Sequence, residues 1–517
     1  MSAMRRLDAR DTWRIALLAL LWLALLAWAR PLMLPDEGRY VGVAWWMQQS
    51  GDWTLPTLDG LPYFHKPPLF YWITGLALRL FGVREWAARA ASLLAACGGG
   101  MALFCLLRRW WGARVAALAL VALLAQPFWY LGGQFANLDM LVAGCITATI
   151  VLLAHAALLA ERGMAHRRAL LAAYAMAALG VLAKGLIGFV LPALVISLWL
   201  LAGRRWRTLL KLPSLPGSVV FVAIAAPWFI VMQMRFPGFL HYFFVVQHFQ
   251  RFAAGGFNNV QPFWFYPVVL ALVTLPWLPW LRPQFEKGRL ADATRGDLRL
   301  LCWVWLVVIV GFFSLPSSKL LGYILPAVPP LAALLADGID TWRGRGTRGW
   351  RWSAALSVAL AMLAVAVLAR HTPHSSKPLA RVLHAQRHAD APVYVLDEDF
   401  FDLPFYARLA RPVVYVQPWD NPDLRHHDNW RKELLDAGGF APTRASQLLL
   451  PPSRFPAALC AQSEAWAVGP QGVLAGYPFL ASATRAASTR EAALWRLDMH
   501  QPQLRRALGC RGTPTAG

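Results

Sequence analysis

The stretch from Pro35 to Pro68 reads PDEGRYVGVAWWMQQSGDWTLPTLDGLPYFHKPP and directly follows the first long apolar segment of the chain. Its ionisable side chains, concentrated within a few turns, are Asp36, Glu37, Arg39, Tyr40, Asp52, Asp59, Tyr63, His65 and Lys66. Charged groups beside a bilayer are costly unless they are hydrated, paired or used. The stretch is therefore predicted to form half of an active site on the non-cytoplasmic side of a membrane.

The composition around this stretch is that of a membrane protein. Of the 517 residues, 58% are hydrophobic and 13% aromatic, which is too apolar for a soluble enzyme. A span needs about 20 apolar residues, which predicts eleven spans, and up to thirteen because Pro and Gly interrupt several. The predicted spans are residues 13–34, 89–107, 113–131, 138–160, 169–183, 186–202, 218–234, 263–281, 298–313, 321–336 and 352–369. No cleavable signal peptide is expected, since the first apolar run is long enough to span.

Most of the formal net charge of +23 lies in basic clusters on alternate connections between these spans. The clusters are Arg5, Arg6, Arg10 and Arg14; Arg108, Arg109 and Arg114; Arg162, Arg167 and Arg168; Arg204, Arg205, Arg207 and Lys211; Arg282, Lys287, Arg289, Arg295 and Arg299; and Arg343, Arg345, Arg348 and Arg351. With a cytoplasmic N-terminus all fall on one side, as the positive-inside rule requires. Nucleic-acid binding is not expected, because no basic domain with interleaved aromatic residues stands apart.

The opposite, outward-facing connections carry a different set of polar residues. These are Gln134, Asn137, Asp139, Lys184, Gln247, His248, Arg251, Asn258, Asn259, Ser317, Ser318, Lys319 and Tyr323. The segment from 35 to 85 is expected to fold there as short, aromatic-rich helices lying on the membrane, which hold polar groups more rigidly than a loop. Basic clusters and candidate functional residues thus select opposite faces, which predicts a single outward site.

The character of the chain changes near Arg370, and residues 371–517 are predicted to form a small α/β domain on the outer side. Strand-like runs cover 393–396, 413–416, 447–450 and 494–497, and a helix-like segment covers 429–437. No nucleotide-binding glycine pattern is present. The six cysteines lack metal-ligand spacing, and Cys460 and Cys510 are able to form a disulfide if this domain is periplasmic.

Two carboxylates are candidates for the chemistry. Asp36 and Glu37 follow the first span, where a charged helix end and a catalytic group are equally good interpretations. Arg39 and Tyr40 lie on the next turn and favour the catalytic interpretation. A nearby Arg keeps a carboxylate ionised, so that Asp36 can accept a proton or orient a nucleophile. Asp139 opens a span from the same face, where it fits both a helix N-cap and an active-site acid.

Several cations stand alone at the outward ends of spans. Lys66, Lys184 and Lys319 each fit a side chain that anchors its span at the interface, but together with Arg39 and Arg251 they suit a phosphate group, whose charge they would neutralise. The imidazoles of His65 and His248 are candidate zinc ligands, and the alternative is a polar contact to a phosphate or a carboxylate.

With these residues assembled, the chain resembles the polyprenyl-phosphate-sugar glycosyltransferases of the aminoarabinose transferase (ArnT) type, distant relatives of the protein O-mannosyltransferases. The matching motifs, which cover about the first 330 residues, are DEGRY at 36–40, GDWTLP at 51–56, YFHKPPLFYW at 63–72, NLDM at 137–140, AKG at 183–185, QHFQRF at 247–252 and FFSLPSSKLLGYILP at 312–326.

The resemblance implies a GT-C fold: an α-helical polytopic domain over residues 1–370, with periplasmic juxtamembrane helices at 35–85, and a periplasmic α/β domain over 371–517. It implies an undecaprenyl-phosphate-linked sugar as donor, lipid A as acceptor, no nucleotide cofactor and a place in the bacterial inner membrane. In family terms Asp36 is the principal catalytic carboxylate and Asp139 a second acid. The implied donor contacts are Arg39, Tyr40, Tyr63, Lys66, Lys184, Arg251, Lys319 and Tyr323.

One position departs from the family pattern. Aminoarabinose transferases carry Glu in YFEKP, where this chain has His65, and in that family the Glu helps to bind a divalent ion together with a His that matches His248. A His–His pair can also hold zinc, but neutral imidazole brings no negative charge. The departure puts in question both the binding of a metal and the assignment of aminoarabinose as the sugar.

Two other functions fit parts of the pattern. Protein O-mannosylation shares the acidic loop, although the large tail and the YFHKPP context favour the lipid-modifying branch. A lipid transporter or flippase predicts charged residues along a path through both leaflets. Here the acids and isolated lysines cluster on one side, and no inverted repeat is evident, which disfavours transport.

Overall fold

The computed structural model of the chain describes residues 9–250, 259–286, 288, 292, 295–342, 349–370, 375–425 and 429–510. Its first part is helical. In order it contains α1 (Ala9–Ala24), α2 (Asp36–Ser50), α3 (Leu69–Phe81), α4 (Glu85–Ala88), α5 (Ala90–Trp110), α6 (Ala113–Ala125), α7 (Pro127–Gly133), α8 (Leu138–Glu161), α9 (Arg167–Lys184), α10 (Ile187–Ala202), α11 (Trp206–Leu209), α12 (Leu215–Arg235), a π-helix (His241–Gln250), α13 (Phe265–Val273), a 3-10 helix (Leu275–Phe285), α14 (Gly296–Ser314), a second 3-10 helix (Leu321–Ala327), α15 (Val328–Thr341) and α16 (Gly349–Arg370).

Six helical segments in the described part of the chain are long and apolar enough to cross a membrane, and eight if each bent pair counts as one span. The bent pairs are α6 with α7, at 69°, and α13 with the following 3-10 helix, at 106°. All eleven predicted spans contain a helix or such a pair. However, α1 and α10 have only 16 residues each, and the 18 residues of α9 include three charges at its ends. Length and composition therefore support fewer full spans than the predicted eleven to thirteen.

Helix α8 lies at the centre of the bundle and is buried along most of its length. Small residues let its neighbours approach closely: a Cβ on Gly144 would stand 2.6 Å from the carbonyl oxygen of Ala95 on α5. The backbones of Gly180 on α9 and Gly188 on α10 meet in the same way, since a Cβ on Gly180 would stand 3.0 Å from the Gly188 Cα. Contacts between small residues are a common way to pack membrane helices.

Arginines of the basic clusters pair with acidic residues at one end of this bundle. Arg205 pairs with Glu161 at the end of α8 (3.4 Å) and with Asp297 at the start of α14 (3.3 Å). Arg299 donates to Asp337 over 2.6 Å. Since α8 runs from Asp139 to Glu161, and α9 returns from Arg167 to Lys184, the described members of the basic clusters and the described site residues lie at opposite ends of the helices.

At the other end, α2 and α3 are joined by a small hairpin of β1 (Thr57–Leu58) and β2 (Leu61–Pro62). Its turn residues Asp59 and Gly60 both have positive φ, as a tight hairpin turn requires. The Asp59 carboxylate accepts hydrogen bonds from Trp46 (2.9 Å) and from Tyr415 near the far end of the chain (2.7 Å). Short helices were expected in this segment, and that expectation is confirmed.

Residues 375–510 contain a six-stranded mixed sheet of order β5-β4-β3-β6-β8-β7, in which the last two strands are antiparallel to their neighbours. The strands are β3 (Val393–Leu396), β4 (Val414–Val416), β5 (Leu449–Leu450), β6 (Glu464–Pro470), β7 (Thr484–Ser488) and β8 (Ala492–Asp498). The helices are α17 (Lys377–Gln386), α18 (Leu403–Ala407), α19 (Trp430–Gly439), α20 (Pro442–Leu448), α21 (Phe455–Cys460) and α22 (Pro502–Leu508), with 3-10 turns at Pro422–Arg425, Pro452–Arg454, Gln471–Ala475 and Pro478–Ser482.

Three of the four predicted strand runs coincide with strands, and the predicted helix at 429–437 coincides with α19. The fourth run, 447–450, is strand only at Leu449 and Leu450, because its first two residues end α20. Strands β6 and β7 were not predicted, because EAWAVGP and TRAAS are rich in alanine and poor in the β-branched residues that mark strands. The predicted disulfide is confirmed: Cys460, at the end of α21, is bonded to Cys510.

The sheet-containing part docks on the juxtamembrane helices through many specific contacts. The Trp45 indole donates to the carbonyl of Leu409 (3.0 Å), and the Tyr406 hydroxyl accepts from the amide of Leu32 (2.8 Å). Phe64 packs edge-on against Phe440, with ring centroids 4.8 Å apart. This docking brings α19 over the outward end of the helical bundle.

Candidate active site

A cavity of about 230 Å³ lies at this end of the bundle. It is lined by Asp36, Arg39, Tyr40, Tyr63, His65, Lys66, Asn137, Asp139, Lys184, Ile187, Gln247, Phe312, Phe313, Pro316, Ser317, Ser318, Leu320, Tyr323 and Glu433. Nine of the twelve predicted site residues are among them, although they come from widely separated parts of the chain. The cavity combines charged groups with an apolar wall.

Asp36 is aimed into the cavity because its neighbour Glu37 fixes the start of α2. Glu37 is completely buried; it pairs with Arg30, accepts two hydrogen bonds from Arg89 (2.8 and 3.0 Å) and accepts one from the Ala136 amide (2.8 Å). Burial alone would raise the pKa of Glu37, but the two arginines outweigh it and lower the pKa to about 2. Glu37 is thus an ionised anchor for the start of α2, and Asp36 is the acid of this pair that faces the cavity.

Arg39, one turn further along α2, is shared between two carboxylates. It donates to Asp36 (2.6 Å) and to Glu433 of α19 (2.6 Å), and its Nε has no partner among the described residues. Burial raises the pKa of Asp36, and this effect exceeds the lowering by Arg39. Asp36 therefore keeps an appreciable affinity for a proton, which a group that accepts one from a substrate requires.

Glu433 was not found by sequence reasoning. Besides Arg39, it accepts a hydrogen bond from the Tyr63 hydroxyl (3.2 Å) and lies 4.0 Å from Nδ1 of His65. A charged residue on a short helix far along the chain is usually a solvated surface residue, so no local signal distinguished it. Only the docking of α19 makes it part of the cavity.

Asp139 forms an ion pair with Lys184 on the opposite wall. Asn137 caps α8 by accepting from the Asp139 amide (2.8 Å), so the N-cap role expected of Asp139 belongs to its neighbour. The Lys184 ammonium also lies 4.2 Å from the ring centre of Tyr323. Gly322 leaves room for this acid, since a Cβ there would stand 2.9 Å from Cβ of Asp139.

His65 is buried and held on three sides. Its ring stacks on Tyr63 at 4.8 Å, and its Nε2 is 2.8 Å from the hydroxyl of Tyr242, which in turn accepts from Gln247 (2.9 Å). The described residues contain no group of three or more His, Cys, Asp or Glu side chains able to hold a metal. Among the described residues, the donors next to His65 include the Glu433 carboxylate, which is already paired with arginine, and an imidazole beside such a carboxylate does not by itself make a zinc site.

The remaining predicted residues are placed as follows. The side chain of His248 and all of Arg251 lie outside the described residues, so their roles stay predictions. Lys319 is buried beside the cavity without lining it, and its ammonium donates to the carbonyls of Gln261 (2.9 Å) and Pro316. In the structure, Lys319 therefore holds the loop that carries the lining residues Ser317 and Ser318.

Comparison with known proteins identifies relatives of the chain. Residues 65–231 match the family model described as dolichyl-phosphate-mannose-protein mannosyltransferase. The chain is 37% identical over 366 residues to the undecaprenyl phosphate-alpha-4-amino-4-deoxy-L-arabinose arabinosyl transferase of Aeromonas salmonicida, covering 69% of this chain and 65% of that protein. It is 33% identical over 345 residues to the protein of the same description from Pseudomonas aeruginosa, covering 65% and 61%. The chain thus matches slightly less than two thirds of the length of these curated relatives.

Solved structures of similar fold include members of the same family. ArnT from Cupriavidus metallidurans, in a crystal structure bound to undecaprenyl phosphate, superposes with a TM-score of 0.77 at 26% identity, covering 95% of this chain and 98% of that one. The oligosaccharyltransferase AglB from Archaeoglobus fulgidus gives a TM-score of 0.53 at 12% identity, covering 89% and 70%, which is a likeness of fold alone. The predicted GT-C architecture is confirmed.

Proposed function

The chain belongs to the ArnT-type glycosyltransferases of the GT-C superfamily, and from that premise we propose that it moves a sugar from undecaprenyl phosphate to lipid A or a related lipid-linked acceptor. The sugar that the relatives' descriptions favour is 4-amino-4-deoxy-L-arabinose. The observation that carries the proposal is the cavity itself, where the acids Asp36 and Asp139 face the cations Arg39, Lys66 and Lys184 beside an apolar wall. A sugar linked to a polyprenyl phosphate has the matching chemistry, because it carries an anionic phosphate on an apolar chain.

The cations are assigned to the donor phosphate. The side chains of Lys66, Lys184 and Arg39 neutralise its charge in the ground state, and they stabilise the larger charge that develops as the phosphate leaves. Tyr323 and Tyr40 line the same space. The apolar wall, which includes Ile187 and Phe312, suits the first part of the polyprenyl chain.

Asp36 is assigned to the acceptor. An acceptor oxygen attacks the anomeric carbon from the face opposite the phosphate, the carbon–oxygen bond to the phosphate breaks, and the lipid phosphate leaves with the electron pair, which inverts the configuration. If the acceptor is a hydroxyl, Asp36 takes its proton; if it is a lipid A phosphate, already anionic, Asp36 orients it. Asp139, paired with Lys184, holds that cation in place.

The orientation in the membrane is part of the proposal. We place the N-terminus in the cytoplasm and the cavity and C-terminal α/β domain in the periplasm of the bacterial inner membrane. Two features support this: the basic clusters lie at the end of the bundle away from the cavity, and the bond between Cys460 and Cys510 belongs to an oxidising compartment.

A zinc ion held by His65 and His248 remains a proposal drawn from the resemblance. Bound there, the ion would supply positive charge next to the donor phosphate. Elemental analysis of the purified protein, with His65→Ala as the comparison, tests it directly. Zinc that is absent from the wild-type protein, or equally abundant in both proteins, contradicts the proposal.

The function is tested with detergent-purified protein, synthetic undecaprenyl-phospho-aminoarabinose and lipid A, with the products identified by mass spectrometry. We expect lipid A that is heavier by one sugar, together with released undecaprenyl phosphate. The match to the mannosyltransferase family model at residues 65–231 makes protein O-mannosylation the second candidate, and polyprenyl-phospho-mannose with secreted proteins as acceptors is its assay. Absence of transfer in detergent, together with movement of donor across a vesicle membrane, would instead favour a transporter.

A further inference from the structure

A second, separate groove of about 240 Å³ opens among α8, α9 and α10 toward the end of the bundle that carries the basic clusters. Its walls are almost wholly apolar, with Leu153, Phe189 and Ile196 among the lining residues. The segment that follows α10, including Leu210 and Leu212, forms its mouth. It shares no lining residue with the cavity that contains Asp36.

The groove is long enough for most of one acyl chain within a leaflet. Its longest lined stretch runs along α10 from Phe189 to Ser197. At about 1.5 Å per residue this is about 12 Å. Half of a hydrocarbon core is roughly 15 Å. A single acyl chain that enters at the mouth therefore lies in the groove over most of the depth of one leaflet.

The mouth of the groove is built like a membrane interface. The short helix α11 exposes Trp206, and Leu210 just after it is 68% exposed. Exposed tryptophan and leucine beside basic residues are typical of segments that lie at the level of the lipid headgroups.

Two basic residues flank this mouth. Lys211 lies between the lining residues Leu210 and Leu212, and Arg207 lies three residues before Leu210; both are exposed. Neither has an acidic partner among the described residues. Their neighbour Arg205 differs, because it is paired with Glu161 at 3.4 Å. The mouth therefore presents positive charge that the protein does not neutralise.

We propose that this groove binds one acyl chain of an anionic phospholipid of the same leaflet, with the headgroup phosphate between Arg207 and Lys211. Basic residues next to an apolar space between helices are the arrangement that recognises anionic lipid headgroups. Glu161 keeps the site open for the headgroup: it accepts from Thr208 of α11 (2.9 Å) and pairs with Arg205, so that this acid is not available to Arg207 or Lys211.

The test is lipid retention in native mass spectrometry of the detergent-purified full chain, titrated with phosphatidylglycerol and, separately, with phosphatidylcholine of the same chains. A basic residue near a membrane surface favours an anionic lipid by about a factor of five, so two should give a preference of roughly 25-fold. The double variant Arg207→Gln/Lys211→Gln should bind both lipids equally. Ala193→Phe, which fills the groove, should weaken the binding of both.

The matched control removes two exposed arginines at the same end of the bundle but away from the groove, in Arg282→Gln/Arg351→Gln. It should keep the full preference. Equal retention of the two lipids by the wild-type chain overturns the proposal, and so does an unchanged preference in the Arg207/Lys211 variant. Undiminished binding by Ala193→Phe overturns the placement of the acyl chain. The wild-type measurement is decisive even if a variant fails to fold.

Discussion

The two ends of the helical bundle use the same kinds of side chain to opposite effect. At the basic end, Asp337 is completely buried and accepts from Arg299 (2.6 Å) and Gln284 (3.0 Å). At the cavity end, Asp36 shares Arg39 with Glu433, and its side chain is 35% exposed to the cavity. The difference shows that the surroundings of an ion pair decide its role. An ion pair that borders a cavity is a candidate site, whereas an ion pair enclosed by packing supports the fold.

The largest expected effect is on chemistry at the cavity end. Asp36→Asn keeps the shape of the side chain but removes the base, and positioned acid–base groups contribute about 10²- to 10⁴-fold to rate. We expect a loss of transfer in that range, with thermal stability and membrane insertion unchanged. Near-normal turnover of this variant in the detergent assay would remove Asp36 from the mechanism.

The counterpart at the basic end is Asp337→Asn. Here the expected loss is of stability, about 1.5–3 kcal/mol, because Arg299 loses its buried carboxylate partner and keeps the partly exposed Asp292. Turnover per folded molecule should stay within about twofold of wild type, since transition-state contacts are untouched. Thermal unfolding in detergent measures the loss of stability, and kinetics normalised to the amount of folded protein measure turnover. A variant that is stable but inactive would erase the contrast between the ends.

A smaller effect is expected where the C-terminal domain enters the cavity. Glu433→Gln retains an acceptor for Tyr63 but withdraws a charge from Arg39. We expect kcat/KM to fall about tenfold, the size of one weakened charged hydrogen bond. Glu464→Gln, in the same domain but paired with Arg496, is the control and should be silent. An equal kcat/KM for the two variants would mean that the charge of Glu433 has no role in the cavity.

Gly322 offers a test based on space alone. A methyl group at Gly322→Ala would press on Asp139 and push it away from Lys184, at a cost of about 1–3 kcal/mol. We expect a several-fold rise in the KM for the donor. Gly311→Ala is the matched control, because a Cβ at Gly311 meets nothing within 4 Å. If both alanine variants bind donor like wild type, the ion pair has no part in the site.

The smallest expected effect concerns pH. Because burial raises the pKa of Asp36, its carboxylate form is lost on acidification at a higher pH than for an ordinary Asp, whose pKa is about 3.9. Transfer to a hydroxyl acceptor should therefore fall on acidification, with a midpoint above that value. The acid limb of kcat/KM measures this. A midpoint at or below about 4 would show that Asp36 is not desolvated as described.

Much of the helical part and its site was predictable, because membranes penalise misplaced charge. Lys66, Asp139 and Lys184 were found as isolated charges at the ends of apolar segments. Their meeting in one cavity follows from the topology of a bundle in which neighbouring helices alternate in direction. The bends at α6–α7 and after α13 were less accessible, since hydropathy does not report helix direction.

The rest depended on long-range packing that leaves no local pattern. Glu433 looks like any solvated helix residue until α19 docks, and β6 is a buried strand composed largely of small residues. Lys319 fits the pattern of an isolated cation as well as Lys66 does. Only the contacts of its ammonium with Gln261 and Pro316 distinguish a loop support from a lining residue.

The contact between Arg39 and Glu433 joins residues that are made at opposite ends of translation, 394 positions apart. The ribosome therefore delivers the membrane helices and the acidic loop first, and the arginine acquires its second carboxylate only after Glu433 has been made and α19 has docked. A nascent or prematurely terminated product that lacks α19 carries an incomplete cavity. The order of synthesis itself thus delays completion of the cavity until the late part of the chain has folded.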